Sequence, residues 1–211
     1  MADTGWISAG LGQSIAKAGG TVAWGTPTQV YTSNNSYAQA SMGPEELSVW
    51  LRTTTYGFAI PAGSTIDGIK ARFEKRAQTA LQIKDWDVKL VKAGSEQGDD
   101  KGSAAWWTTT DTYVVHGGAG DLWGLAWTPA DINAGNFGVS ISARNNDLSP
   151  RYALVDHVQI KVYYTEPATN MEVNVAGAWK DVDEVEVNVG GAWKAVTEVW
   201  INVSGVWKQV F

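Results

Sequence analysis

The 211-residue chain has no cysteine, which excludes both disulfides and thiolate metal sites. That absence fits a protein assembled in a reducing cytoplasm. Only two histidines occur, His116 and His157, too few for a histidine-rich metal centre and an unpromising start for a nucleophile–histidine–carboxylate triad. No apolar run approaches the roughly 18–20 residues that cross a bilayer. Residues 1–8 lack the basic and apolar segments of a signal peptide, so a soluble protein without a membrane span is expected. Positive charge is also scarce. Residues 1–166 carry 13 Lys+Arg against 16 Asp+Glu, and residues 167–211 carry 3 against 6, so each part contributes −3 to the net −6. Neither part can neutralise a phosphate backbone, and nucleic acid is not an expected partner. The densest basic stretch, Lys70 to Arg76, is interleaved with apolar residues and reads as the wet face of a strand. Gly-x-Ser-x-Gly, His-Glu-x-x-His and P-loop motifs are all missing.

What the chain does have is 12 Trp and 23 Gly amid many Thr, Ser and Val. Aromatic and β-branched side chains suit a pleated surface, and glycine suits the turns between strands. Period-two alternation is strongest in four places. Ile69, Ala71 and Phe73 oppose Lys70, Arg72 and Glu74; Trp86, Val88 and Leu90 oppose Asp85, Asp87 and Lys89. Phe137, Val139 and Ile141 form a third apolar row, and Val158, Ile160, Val162 and Tyr164 a fourth. Each predicts a strand with one buried face. Weaker strand candidates lie at 21–24, 29–31, 37–41, 47–55 and 113–116. Turns are predicted around Ile60–Gly63, Ile66–Gly68 and Gly117–Gly120. One helical turn is predicted at Thr128–Ile132, with Thr128 as cap and Pro129 at the first position. The expected fold is all-β, an antiparallel β-sandwich of jelly-roll or immunoglobulin-like type, with Phe73, Trp86, Val88, Leu90, Val139, Ile141, Ile160 and Val162 inside.

After a polar linker at 166–170 the sequence repeats with a spacing of 14: Asn174, Asn188, Asn202; Gly177, Gly191, Gly205; Trp179, Trp193, Trp207; Lys180, Lys194, Lys208. Each unit reads as strand, small-Gly turn, strand, a minimal β-hairpin. The expected organisation is therefore an N-terminal arm at 1–19, a sandwich at 20–165, the linker, and a small domain of three 14-residue hairpin repeats at 171–211. A lone hairpin is marginal in water, and three sit near the lower size limit for independent folding. The repeats must pack on one another, on the sandwich or on other copies. Trp179, Trp193, Trp200 and Trp207 are the candidate oligomerisation residues. A pseudo-threefold unit within one chain and a homotrimer both satisfy the pattern, and the trimer is favoured because it covers two-sided apolar hairpins.

Little here points to chemistry. Glu96, Asp99 and Asp100 share a glycine-rich loop and are a weak calcium candidate, but their spacing matches no EF-hand and a solvated loop explains them. With 22 acidic residues, no carboxylate pair stands out for glycoside hydrolysis. Neither enzyme activity nor a cofactor is expected. Trp106, Trp107, Tyr113, Trp123 and Trp127 fall close together amid Thr and Gly, and flat rings beside polar groups are a means of stacking on sugars. They are the candidate glycan-binding residues, with core packing as the competing role. Trp106 and Trp107 point to opposite faces if extended, which places at least one outside the core.

Several segments carry a resemblance. Trp24-Gly-Thr-Pro27, Tyr37-Ala-Gln-Ala40, Gly57 to Ile69, Asp121-Leu-Trp-Gly124, Trp127-Thr-Pro-Ala-Asp131 with Phe137-Gly-Val139, and Val155 to Tyr164 resemble a β-sandwich module of bacteriophage virion genes. The Val-Asn-Val-x-Gly-x-Trp-Lys units resemble repeats at the ends of phage fibre and decoration proteins. Trp200 departs from them, standing where the earlier units have Glu172 and Glu186. The resemblance implies a structural virion appendage, made in the host cytoplasm: a capsid decoration, head fibre or tail-fibre component. Its implied partners are other virion proteins. A carbohydrate-binding adhesin that contacts a cell-surface glycan is the alternative, and no catalytic residue carries over.

Overall fold

The computed structural model describes residues 1–167 throughout and, within 168–211, the strand backbones and a few further positions. The chain forms two units, Met1–Glu166 and Pro167–Phe211.

In the first unit, the strands in chain order are β1 (Ala2–Asp3), β2 (Ile7–Ser8), β3 (Leu11–Ile15), β4 (Ala38–Met42), β5 (Trp50–Thr54), β6 (Thr65–Ala77), β7 (Ile83–Lys92), β8 (Ser95–Gln97), β9 (Thr112–Gly117), β10 (Gly138–Asn145) and β11 (Arg151–Thr165). One sheet is ordered β1-β11-β6-β9, with β2 and β4 also paired to β11; the other is ordered β3-β5-β10-β7-β8. All of these pairings are antiparallel. Taken alone, β4 to β11 fall into the rows β4-β11-β6-β9 and β5-β10-β7-β8. The chain crosses between the sheets at nearly every connection, which is jelly-roll rather than immunoglobulin wiring. The segment 1–19, expected as an arm, supplies β1 to β3 and so extends both sheets.

Alternation built the long strands as expected. Ile69, Ala71 and Phe73 of β6, with Ile160 and Val162 of the neighbouring β11, face Val88, Leu90, Val139 and Ile141 of the other sheet across one buried core. Trp86 is a correction. In the β7–β10 register Ser142 faces Asp87 and Ala143 faces Asp85, so Trp86 is skipped by a bulge. Ile83 and Asp85 therefore point inward before the bulge, Val88 and Leu90 after it, and Trp86 is left half-buried outside the core. Its ring lies under the Lys17 ammonium at 3.4 Å. A similar bulge in β11 skips Asp156, whose buried carboxylate accepts from the backbone of Asn34 and Asn35.

The weaker candidates fared unevenly. Those at 37–41, 47–55 and 113–116 cover most of β4, all of β5 and most of β9. The segment at 29–31 instead overlaps a 3-10 helix, Pro27–Val30, because Pro27 fixes a helical φ at its start. The segment at 21–24 makes only an isolated bridge through Val22. The predicted helical turn is α1 (Pro129–Asn133), closed by a capping box in which Thr128 and Asp131 bond each other's backbone. Lys75, read with the wet face, has the inward parity of Phe73 and is buried.

In the second unit, β12 (Glu172–Val175) pairs with β13 (Ala178–Asp181), β14 (Glu186–Val189) with β15 (Ala192–Ala195), and β16 (Trp200–Val203) with β17 (Val206–Gln209). The register is the same each time: Asn174 opposes Trp179, Asn188 opposes Trp193, and Asn202 opposes Trp207. The side chains of Trp179, Trp193, Trp200 and Trp207 lie outside the described residues.

Candidate functional site

The five aromatic candidates separate by burial. Trp107, 4% exposed, donates from Nε1 to Asp85 at 2.8 Å, while its neighbour Trp106 is 37% exposed under the Lys84 ammonium at 3.9 Å. Trp123 is fully buried and donates to the Ile69 carbonyl at 2.9 Å. Its φ of 57° is costly for a bulky residue, and Asp121 fixes that conformation by accepting from the Trp123 backbone. Trp127 packs edge-on against Phe137 and donates to the Leu122 carbonyl. Trp107, Trp123 and Trp127 thus belong to the core and offer no free ring face to a sugar. Tyr113 is half-buried, with its hydroxyl 2.7 Å from His157 Nδ1 and the Arg72 guanidinium over its ring at 4.2 Å. Burial raises the Tyr113 pKa, and the nearby Glu74 adds to the shift.

The outer face of the six-stranded sheet gathers most of the remaining aromatic and basic groups. Arg72 lies over the ring of Trp6 at 4.3 Å as well as over Tyr113, and Gln159 accepts from its Nε at 2.8 Å. At the other end of this sheet the registers of β4, β11 and β6 create a row: Leu154 opposes both Gln39 and Arg76. In the next row Tyr152 opposes Ser41, and Gln78 donates its backbone N–H to the Tyr152 carbonyl. Ala38, Ala40, Ala77, Ala153 and Val155 take the inward positions, so the residues between them face out. Gln39, Arg76, Gln78, Tyr152 and Leu154 line an open groove of about 390 Å³. Arg76 sits 3.6 Å from Asp111 and 4.8 Å from the ring of Tyr37, whose hydroxyl donates to Asp111 at 2.7 Å. Burial and that carboxylate together raise the Tyr37 pKa. With the Arg76 charge largely balanced, the groove offers two amides, a phenol and an apolar floor. Groups of this kind can hydrogen-bond to hydroxyls and pack on C–H surfaces.

The three loop carboxylates diverge. Glu96 makes a two-point pair with Arg52 and accepts from Ser140. Burial pushes its pKa up, but those donors outweigh burial and hold it below the usual range. Asp100 accepts from the backbone of Val88 and Gly102, and Asp99 lies 3.6 Å from Lys101. Among the described residues, no group of three His, Asp or Glu side chains could hold a metal ion.

A second polar cluster lies inside the sandwich. Lys75 of β6 contacts Asp85 of β7, and His116 of β9 places Nε2 3.7 Å from the same carboxylate. Burial lowers the pKa of both Lys75 and His116, with Asp85 opposing the shift in each case. Sequence reading missed this cluster and the groove. The groove residues come from three strands far apart in sequence, and Asp85 shifts inward only because of the bulge at Trp86. Lys75 alone carried a signal, its parity with Phe73.

No protein-family model matches the chain, and no curated protein matches it. Among solved structures, one titled "CBM4 structure and function" aligns over 74% of this chain and 93% of that one, at 12% identity and a TM-score of 0.36. At that distance no residue role transfers.

Proposed function

We propose that the chain is a non-enzymatic structural protein of a bacteriophage virion, a capsid decoration, head fibre or tail-fibre component. The observation that carries this reading is the set of three hairpins in one register at a spacing of 14 residues, following a jelly-roll unit in the chain. Tandem β-units of this size need partners to cover them, and an appendage gains avidity from copies held together. Trp179, Trp193, Trp200 and Trp207 form the seam of a homotrimer in this reading. Immunogold labelling of purified particles tests the role: surface label is expected, and unlabelled particles with a reactive lysate would sink it.

A second role, binding of a neutral glycan, is favoured by the groove at Gln39, Arg76, Gln78, Tyr152 and Leu154. Amide side chains pair with vicinal hydroxyls, and an aromatic ring beside them packs on a sugar's C–H face. Glycan-array binding that is lost in Tyr152→Ala and Gln78→Ala but kept in Trp106→Ala is the expected pattern. Binding that depends on Trp106 instead would move the site to the other sheet.

A further inference from the structure

The Lys75–Asp85 contact joins the two sheets: β6 belongs to the six-stranded sheet and β7 to the five-stranded one. Their side chains are 2% and 0% exposed, so water screens neither partner. A buried ion pair of this kind carries a desolvation penalty that its Coulomb attraction repays only in part. The surroundings combine fixed hydrogen-bond donors with a buried imidazole. Asp85 Oδ1 accepts from Trp107 Nε1 at 2.8 Å and Oδ2 from the Ser103 backbone N–H at 2.9 Å, so two fixed donors point at the oxygens of one carboxyl group. His116 Nδ1 is 2.8 Å from the Lys101 carbonyl, which can only accept. Nδ1 therefore carries the proton and Nε2 presents its lone pair. That Nε2 is buried, has no hydrogen-bond partner among the described residues, and lies 3.7 Å from Asp85 Oδ2. The Lys75 ammonium also lies 4.6 Å from the Trp107 ring centre. Next to Lys75 is a small cavity of about 50 Å³, lined also by Ser103, Trp106 and Trp107.

We propose that Lys75 and Asp85 condense after folding into an intramolecular isopeptide bond that covalently staples the two sheets. A proton passes from the Lys75 ammonium to the Asp85 carboxylate, giving a neutral amine against a neutral acid. The amine lone pair forms an N–C bond at Asp85 Cγ, with the Trp107 donor on Oδ1, the tetrahedral oxyanion, and the Ser103 donor on Oδ2, the oxygen nearest His116 that becomes the departing hydroxyl. His116 Nε2 takes the proton from the attacking nitrogen and returns it to the departing hydroxyl as the C–O bond breaks. One water leaves, and the adjoining cavity is large enough to receive it. Ammonium plus carboxylate become amide plus water, with no oxidant or co-reactant. Burial favours the uncharged amine that the attack needs. The product also removes both buried charges and leaves its carbonyl oxygen on the Trp107 donor.

The Lys17–Asp87 pair is an internal control: also in direct contact, but with side chains 9% and 23% exposed and without a buried histidine at its carboxylate. The test is the intact mass of the purified full chain, followed by proteolysis and tandem mass spectrometry. The expected result is a chain lighter than its sequence mass by one water, about 18 Da, with a branched peptide joining Lys75 to Asp85 and the Lys17 and Asp87 peptides unlinked. A full sequence mass overturns the proposal, as does a water deficit mapped to any other residue. Lys75→Ala and Asp85→Ala should restore the full mass, and His116→Gln should raise the unreacted fraction. If these variants fail to fold, the wild-type mass still decides.

Discussion

Neighbouring tryptophans on opposite faces of one segment allow a sharp comparison of substitutions. Trp107→Ala removes a side chain that is 4% exposed, and a buried Trp→Ala change costs about 3–5 kcal/mol. It also takes the indole donor from a buried Asp85 oxygen, and leaving that acceptor unsatisfied costs about 1–3 kcal/mol. The two effects overlap, so about 4–6 kcal/mol is a fair total. A domain of this size loses about 2–4 °C of Tm per kcal/mol, which places the shift on the order of 15 °C. Trp106→Ala removes a ring that is 37% exposed, with one cation over it. Such a contact is worth about 0.5–1 kcal/mol, or roughly 4 °C at most. Thermal melts of the two variants, followed by near-ultraviolet circular dichroism, measure the difference. Equal shifts, or a larger one for Trp106→Ala, would refute the placement of Trp107 in the core and with it the geometry around Asp85.

The two histidines predict an acid-sensitive fold. Burial holds the pKa of both His116 and His157 below the ordinary 6.5, so the folded state favours their neutral forms. Their contribution is fully present above 6.5 and is lost as the pH falls below it through the depressed folded values. Urea midpoints should therefore drop between about pH 6.5 and pH 5, before most carboxylates titrate, and less steeply in His157→Gln. A flat profile there would contradict the burial of both rings. Backbone approach gives a further test. A Cβ at Gly138 would stand 1.8 Å from the Thr53 carbonyl oxygen, whereas one at Gly135 meets nothing within 4 Å. Gly138→Ala should prevent folding or lower Tm sharply and Gly135→Ala should be nearly neutral, with soluble yield and Tm as the readouts.

The sandwich was legible wherever a strand kept strict alternation. Phe73, Val88, Leu90, Ile141 and Ile160 needed only a period of two, because one face of each strand packs on the opposing sheet. Alternation fails at a bulge, and a bulge is set by pairing with a distant strand rather than by local sequence. For that reason Trp86 was placed inside when it lies outside, and Asp85 was placed outside when it lies inside. The N-terminal strands were missed because two of them are only two residues long and are held by β11, some 150 residues away. Aromatic clustering located a tryptophan-rich stretch but could not separate core from surface, since a buried indole and a sugar platform share one composition. The groove was invisible because no two neighbouring positions in sequence supply it.

The virion assignment is tested most directly by the copy number of this chain in gradient-purified particles, measured by quantitative mass spectrometry against the major capsid protein. A fixed copy number that is a multiple of three and survives a high-salt wash is the predicted result. A chain absent from the particles, or present in variable traces that the wash removes, would contradict the virion role and its trimeric seam together.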